Sequence, residues 1–341
     1  MLSFNKDGRI EVKYTDIADT FKETSRFNYT GGKLNFLFEF GGKVFYFKAN
    51  GLYTEDQKEV LATIAGKPLN TKISKPLLAT FTDKDGAVFD GILSPDFVKD
   101  RKNTEVVPYT KIITDHNKVY VIQSVEYIMS AVKEFAKNNK LTIDANLVND
   151  LKLLAFYNFA IGQQDFNSSN IEFAITTDEN GVKTISLLPT FDKSISLFNK
   201  VDGALGIMYI SNVLVEKRPE LAVNDLYYFM TLSREEHDHG QHYRILHELA
   251  FEIGKNPVLE KAFIAYANFD FEKEIGKFEN TTGFKFADKH KKRAIIFFNT
   301  NKKMLTATVL RHNPRIKAAF DKTKTNDNLI EDNTIQNEVG F

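Results

Sequence analysis

The chain has 341 residues, of which 43% are hydrophobic and 26% charged, so it can bury a large core. Its 45 basic and 45 acidic side chains give a formal net charge of zero, which argues against a protein that coats nucleic acid. Because there is no cysteine, disulfide frameworks, zinc ribbons and thiol catalysis are excluded. No apolar run has the length of a membrane span, and residues 1–8 lack the apolar segment of a secretory signal. We therefore expect a cytoplasmic protein with no membrane partner.

Residues 1–120 are predicted to form a β-rich N-terminal lobe. Alternating apolar residues in Leu34–Phe38 and an aromatic run in Lys43–Lys48 flank the pair Gly41-Gly42, which predicts a β-hairpin. A short helix is predicted over Thr54–Ile64, with Thr54 as its N-cap. Two further predicted strands, separated by a turn at residues 83–86, are Leu77–Phe81 and Ala87–Leu93.

Residues 121–321 are predicted to form a mainly helical C-terminal lobe, since helical periodicity begins after Ser124. Apolar stripes predict helices starting at Val125 and Leu147, and the second helix should end at Gly162. A polar loop then leads into a predicted hairpin with the strands Ile171–Ile175 and Val182–Leu188. Further predicted helices are Leu221–Leu232, Tyr243–Ile253, Pro257–Ala267, Ala287–Phe298 and Asn301–Leu310.

The polar, Asn-rich residues 322–341 are predicted to be disordered. A β-rich part followed by an α-rich part indicates an α+β, bilobal fold whose functional site lies in the cleft between the lobes.

Three oxygen-bearing side chains flank the predicted C-terminal hairpin. Asp165 and Asn170 lie five residues apart before its first strand, and Asp192 follows its second strand. Because a hairpin brings its two ends together, we expect the three side chains to converge. Phosphoryl transfer uses such a set: one Asp takes the proton of the acceptor hydroxyl, while an Asn and a second Asp hold Mg²⁺ against the nucleotide phosphates.

This order of residues matches the protein kinase template. It predicts Asp165 as the catalytic base, and Asn170 and Asp192 as Mg²⁺ ligands. The alternative is that these residues only stabilise turns, which Asp and Asn often do.

A kinase also needs a cation for the ATP phosphates on a strand of the N-terminal lobe. Lys48, which closes the aromatic strand, is the predicted residue, with Lys43 and Lys33 as alternatives. Its predicted partner is Glu59, which lies in the middle of the next helix. Glu55 is the alternative partner, although its place in the first turn suits a residue that faces the helix dipole. Lys48 could also be an ordinary surface lysine at a strand end.

A loop that covers the phosphates should precede the lysine strand. Residues 28–33 contain Thr30, Gly31 and Gly32, and the two glycines would let backbone amides approach a phosphate. A plain hairpin turn is the alternative, because the segment is neither a Walker A motif nor G-x-G-x-x-G.

The stretch "FAIGQQDFNSSNIEFAI…ISLLPTFDKSISLF" resembles the catalytic core of HipA-like serine/threonine kinases. The segment "GAVFDGILSPDFVK" is also similar to a part of that family, and the resemblance extends from about Tyr29 to Phe198. It implies a bilobal kinase-like fold that transfers the ATP γ-phosphoryl group, with Mg²⁺, to a Ser or Thr of a protein substrate or of the kinase itself. Carried over by position, it makes Asp165 the base, Asn170 and Asp192 the metal ligands and Lys48 the ATP lysine. A partner protein of the antitoxin or DNA-binding type is implied as well.

The chain departs from the family pattern at Asn167, where a His is often found. The departure leaves open a catalytically weak kinase-like module that binds a nucleotide or a partner protein. In the family the phosphate loop can carry a regulatory phosphorylation site, and Thr30 or Ser25 could serve here.

Two other features have simpler explanations. His237, His239, His242 and His247 have spacings that a metal could use, but a solvated loop and helix start is favoured over a metallohydrolase. The basic run 289–293 is expected to be a charged helix face, so direct nucleic-acid binding is not predicted.

Overall fold

The structure is a computed structural model that describes residues 4–21, 34–49, 53–98, 102–113, 124–162, 170–190 and 242–321. The strands are β1 (Ile10–Lys13), β2 (Leu34–Phe40), β3 (Lys43–Ala49), β4 (Leu77–Thr82), β5 (Val88–Pro95), β6 (Thr104–Pro108), β7 (Thr142–Ile143), β8 (Glu172–Thr177) and β9 (Lys183–Leu187). The helices are α1 (Tyr14–Ile17), α2 (Tyr53–Gly66), α3 (Tyr109–Ile112), α4 (Val125–Asn138), α5 (Leu147–Ile161), α6 (His242–Lys255), α7 (Pro257–Asn268), α8 (Phe271–Thr282) and α9 (Asp288–His312). A short 3₁₀ turn, Lys67–Leu69, follows α2, and residues 314–321 are also helical. No helix within these ranges is long and apolar enough to cross a membrane.

The N-terminal sheet has five strands in the order β1-β4-β5-β3-β2, and within it only β1 and β4 run parallel. The predicted β2–β3 hairpin is confirmed, because Gly41 and Gly42 both adopt the positive φ that its two-residue turn requires. One face of the sheet carries a cluster of aromatic rings, with the Phe36 and Phe81 centroids 4.4 Å apart. On the other face Ile92 of β5 joins the core that contains α2. The helix is therefore packed directly against the sheet.

The C-terminal part combines a four-stranded sheet, β6-β8-β9-β7, with helices packed around α5. The predicted start of α4 is confirmed, since Ser124 accepts a hydrogen bond from the Tyr127 amide at 3.1 Å. The predicted end of α5 is also confirmed, because Gly162 takes the left-handed conformation with φ 59°. The β8–β9 hairpin is present, with Phe173 opposite Leu187.

Two predictions in the helical part are wrong. The segments Ala287–Phe298 and Asn301–Leu310 form one continuous helix, α9. The polar residues between them do not end the helix, because Asn301 is fully buried and donates a hydrogen bond to the Phe159 carbonyl at 3.3 Å. Helix α8 was not predicted, since only a few apolar residues anchor its charged sequence. The predicted helix at 221–232 and the tail at 322–341 lie outside the described residues.

Gly66 marks a close approach between α2 and α5. A Cβ atom at this position would lie 2.6 Å from both Ile73 Cδ1 and Tyr157 Cε2. The Tyr157 ring is held in place because its hydroxyl donates to the Ala62 carbonyl at 3.1 Å. The end of α2 is therefore seated against α5 with no room for a side chain.

Gly66→Ala is expected to lower the free energy of unfolding by about 1–3 kcal/mol, because overpacking forces a rigid ring to move. Gly276→Ala is the matched control, since Gly276 lies within α8 and has no atom within 4 Å of an added Cβ. That change should stabilise the protein by about 0.4–1 kcal/mol. Urea denaturation of both variants provides the measurement, and equal effects of the two changes would contradict the close packing.

An ion pair links the end of α2 to α8. Lys67 Nζ lies 2.9 Å from Glu274 Oε2, and Lys277 also contacts the Glu274 carboxylate. Hydrogen bonds from Lys277 and Lys67 lower the pKa of Glu274 from its ordinary value of 4.5. The carboxylate is thus stabilised in its charged form in the folded protein.

Glu274→Gln should lower the free energy of unfolding at pH 7 by about 0.5 kcal/mol, since Lys67 is half exposed. Because the folded-state pKa is depressed, this contribution is fully present above the unfolded pKa and disappears as the pH falls through the lower folded value. Melting temperatures of the wild type and the variant should therefore converge below about pH 4. A difference that persists or grows in acid would rule out this assignment.

Candidate active site

Lys48 lies in β3 at the centre of the N-terminal sheet. It is paired with Asn35 of β2 and Ile92 of β5, and its neighbours Phe47 and Ala49 are buried in the aromatic cluster on the opposite face. Because successive side chains of a strand alternate between faces, Lys48 points to the side of the sheet that α2 covers.

Lys48 and Glu59 form an ion pair between β3 and α2. Lys48 Nζ is 2.8 Å from Glu59 Oε1, and the two side chains are 16% and 2% exposed. An ion pair this well buried carries a large desolvation cost, so it is weak evidence for a purely stabilising role. The pair leaves the lysine ammonium fixed at the edge of a largely dry region, where it could also contact an anionic ligand.

Tyr157 of α5 supports the helix that carries Glu59. It is fully buried, and its hydroxyl donates to the Ala62 carbonyl of α2. Burial, with a further contribution from the charge of Glu59, raises the pKa of Tyr157 well above its ordinary value. The phenol therefore stays neutral and remains a hydrogen-bond donor, which ties α2 to the central helix α5.

Asn170 lies at the open end of the β8–β9 hairpin. It is buried at 6% exposure, just before β8, and Thr190 lies just beyond the end of β9. The Leu188 amide donates to the Glu172 carbonyl at 2.9 Å, which continues the pairing beyond the last residues of β9. The two chain ends of the hairpin, one leading from residue 165 and one leading to residue 192, are thus held side by side.

Thr190 is also bound to the segment that follows α2. The Ser74 amide donates to the Thr190 carbonyl at 2.9 Å, and the Thr190 amide donates to the Lys72 carbonyl at 3.1 Å. Thr63 of α2 adds a link, since its hydroxyl lies 2.9 Å from the Glu59 carbonyl and 3.3 Å from the Ser74 carbonyl. The helix with Glu59 and the strand end that precedes Asp192 are therefore connected through two short steps.

The structure brings Lys48 and Glu59 together and places Asn170 at the end of the hairpin. The remaining predicted site residues lie outside the described residues: Thr30, Gly31, Gly32, Asp165 and Asp192. Asn167, at which the chain departs from the family pattern, lies there too.

The histidine group is only partly described. Residues 237–241 lie outside the described residues, and His247 is exposed with its ring 5.3 Å from that of His312. Within the described ranges, no three His, Cys, Asp or Glu side chains are grouped so that they could hold a metal. In the basic run Lys289 and Lys292 are exposed, while Lys291 pairs with Glu279 at 3.2 Å.

Sequence reasoning did not find three supporting contacts: the bridge at Thr190, the Tyr157 hydroxyl and the buried amide of Gln57. The side chain of Gln57 lies on α2 and accepts a hydrogen bond from the Ala287 amide at 3.2 Å. Each contact joins residues that are far apart in the chain, so no local pattern announces it.

No protein-family model matches the chain, and no curated protein matches its sequence. The crystal structure of the Helicobacter pylori proinflammatory kinase CtkA is similar to it, with a TM-score of 0.57 and 14% sequence identity. The alignment covers 88% of this chain and 97% of that one. HipA of Shewanella oneidensis MR-1, from the structure of a toxin–antitoxin complex with HipB and operator DNA, has a TM-score of 0.48 and 12% identity over 88% of this chain and 68% of that one.

At this level of identity the likeness concerns the fold. The chain has a mixed α+β fold with a β-rich N-terminal region and a helical C-terminal region, and this arrangement matches that of CtkA. The predicted fold class is therefore confirmed. The similarity to HipA is too low to carry an argument.

Lys48→Met should lower the free energy of unfolding by about 2–4 kcal/mol, because it leaves the buried Glu59 carboxylate without its lysine partner. The double variant Lys48→Met/Glu59→Met should recover part of that loss. Lys13→Met is the control, since Lys13 and Glu11 form an exposed pair at 3.6 Å. It should cost less than about 0.5 kcal/mol. Urea denaturation gives all three values, and equal losses for Lys48→Met and Lys13→Met would contradict a buried pair.

Proposed function

We propose that this protein is an ATP- and Mg²⁺-dependent protein kinase of the HipA-like type, which transfers the γ-phosphoryl group to a Ser or Thr hydroxyl. The observation that carries the proposal is the buried Lys48–Glu59 pair between a central strand and the adjoining helix. Kinases use such a pair to hold the ATP phosphates. The fold similarity to CtkA, a protein described as a kinase, supports the same function.

In the proposed reaction each residue has one task. Lys48 binds the α- and β-phosphates, and Glu59 orients the lysine. Asp165 accepts the proton of the acceptor hydroxyl as its oxygen forms a bond to the γ-phosphorus. The bond from that phosphorus to the β–γ bridging oxygen breaks, and ADP leaves. Thr30, Gly31 and Gly32 would cover the phosphates with backbone amides.

Asn170 and Asp192 would hold Mg²⁺ at the open end of the β8–β9 hairpin. An amide oxygen and a carboxylate are hard donors, which this ion prefers, and it commonly keeps several waters beside them. When bound, Mg²⁺ would neutralise charge on the phosphates. The buried position of Asn170 at the hairpin end is compatible with that role, since the pairing of β8 with β9 fixes its backbone.

The substrate side of the proposal follows from the same chemistry. The acceptor is a protein Ser or Thr, which includes a residue of the chain itself, and the supply of ATP and Mg²⁺ fits a cytoplasmic enzyme. A partner of the antitoxin or DNA-binding type stays a prediction from the sequence resemblance.

A second candidate is a kinase-like module that binds nucleotide without turnover, because Asn167 stands where the family often has a His. The two candidates differ in phosphate transfer but agree in nucleotide binding. A test must therefore measure both.

Asp165→Asn and Asp192→Asn are expected to reduce autophosphorylation from radiolabelled ATP by at least about 100-fold, because each change removes a carboxylate that takes part in the reaction. Asp165→Asn should keep the ATP·Mg²⁺-dependent rise in melting temperature, since the base does not hold the nucleotide. Asp192→Asn should weaken that rise.

Lys13→Met provides the matched control and should leave transfer and binding unchanged. Transfer that survives both aspartate changes would refute the proposed roles. A melting-temperature shift of the wild type with ATP·Mg²⁺ but without any transfer would favour the binding module.

A further inference from the structure

Helix α2 is buried on all sides around Glu59. The four consecutive residues Asp56, Gln57, Lys58 and Glu59 are 1%, 1%, 8% and 1% exposed. Since successive residues of an α-helix are separated by about 100°, four of them sweep around almost the whole circumference. One side of α2 faces the sheet, so other parts of the chain must cover the remaining sides.

The C-terminal helices supply part of that cover. The Ala287 amide, just before α9, donates to Gln57 Oε1 at 3.2 Å. At the other end of α2, Lys67 pairs with Glu274 of α8. We call residues 271–291, which comprise α8, the connecting loop and the first turn of α9, the buttress.

The connecting loop of the buttress is itself fixed. Glu279 is buried, accepts a hydrogen bond from the Phe286 amide at 3.0 Å and pairs with Lys291 at 3.2 Å. The buried rings of Phe284 and Phe286 pack edge to face with centroids 5.2 Å apart. The loop is thus rigid enough to hold Ala287 in one place.

The same loop also packs against the start of β1. A Cβ atom at Gly8 would lie 2.0 Å from the Phe284 amide nitrogen, and the Arg9 guanidinium lies 5.3 Å from the Phe284 ring centroid. The buttress therefore contacts both the sheet and α2, the two elements that carry Lys48 and Glu59.

We infer that the buttress holds α2 permanently in the position in which Glu59 meets Lys48, and that Gln57 is a positioning residue for this pair. The pair then needs no bound nucleotide and no covalent modification to form. For its consequence in catalysis the inference rests on the proposed kinase function, whereas its geometry does not.

The test measures how fast Lys48 reacts with acetic anhydride in the full-length protein, relative to Lys43, by mass spectrometry. Lys43 lies in the same strand but is exposed, so it serves as an internal reference. In the wild type Lys48 should react more slowly than Lys43, because the ammonium of a buried ion pair is protected. Treatment with a protein phosphatase should leave this ratio unchanged.

Gln57→Met keeps the volume of the side chain but removes the acceptor, so the Lys48 to Lys43 ratio should rise about fivefold, the change that loss of about 1 kcal/mol produces. Gln57→Glu keeps an acceptor oxygen and should restore the wild-type ratio. Asn313→Ala is the control, since it removes buried hydrogen bonds between α9 and α6 at a distance from α2. It should lower the melting temperature without changing the ratio.

An unchanged ratio in Gln57→Met, accompanied by a fall in melting temperature, would show that Gln57 only packs and would overturn the inference. A ratio that rises after phosphatase treatment would overturn it as well, because a modification would then set the position of α2. Acetylation requires no nucleotide, so a protein that fails to bind ATP in a separate assay refutes the proposed function and not the buttress.

Discussion

The ion pair between Lys48 and Glu59 is the interaction on which the surrounding structure depends. Two charges placed in a largely dry environment cost several kcal/mol each unless their geometry is nearly ideal. A sheet on one side and a helix on the other must therefore hold the two side chains at hydrogen-bond distance. Much of the molecule serves this constraint, because α5, the buttress and the segment after α2 all fasten the same helix.

Helix α2 consequently belongs to both halves of the protein. Its apolar residues lie in one core with Ile92 of the N-terminal sheet and with α5 of the C-terminal region. Gly66 and the Tyr157 hydroxyl seat it on α5, while Gln57 binds the loop before α9. A rotation of one half against the other would have to break these contacts, so motion near the site is expected to be local and confined to loops.

The sequence predicted the elements whose signals are local. Gly41-Gly42 between two aromatic runs specified the first hairpin, and the residues Ser124 and Gly162 marked where α4 begins and α5 ends. It misjudged α9, where tertiary burial of Asn301 outweighs a locally polar sequence. The choice of Glu59 over Glu55 used its position within a helix, but the position of Gln57 beside it gained meaning only with the distant loop. The other predicted site residues lie beyond the ranges that the structure describes.

The bridge between Thr190 and residues 72–74 has an evolutionary consequence. Both of its hydrogen bonds join backbone atoms, so they do not depend on which side chains occupy these positions. Random substitution can therefore alter this segment freely while the distance between the two halves of the site is preserved. Proline at 74 or 190 is the exception, since it would remove a donor. Such a device lets sequences diverge far while the arrangement of the backbone persists.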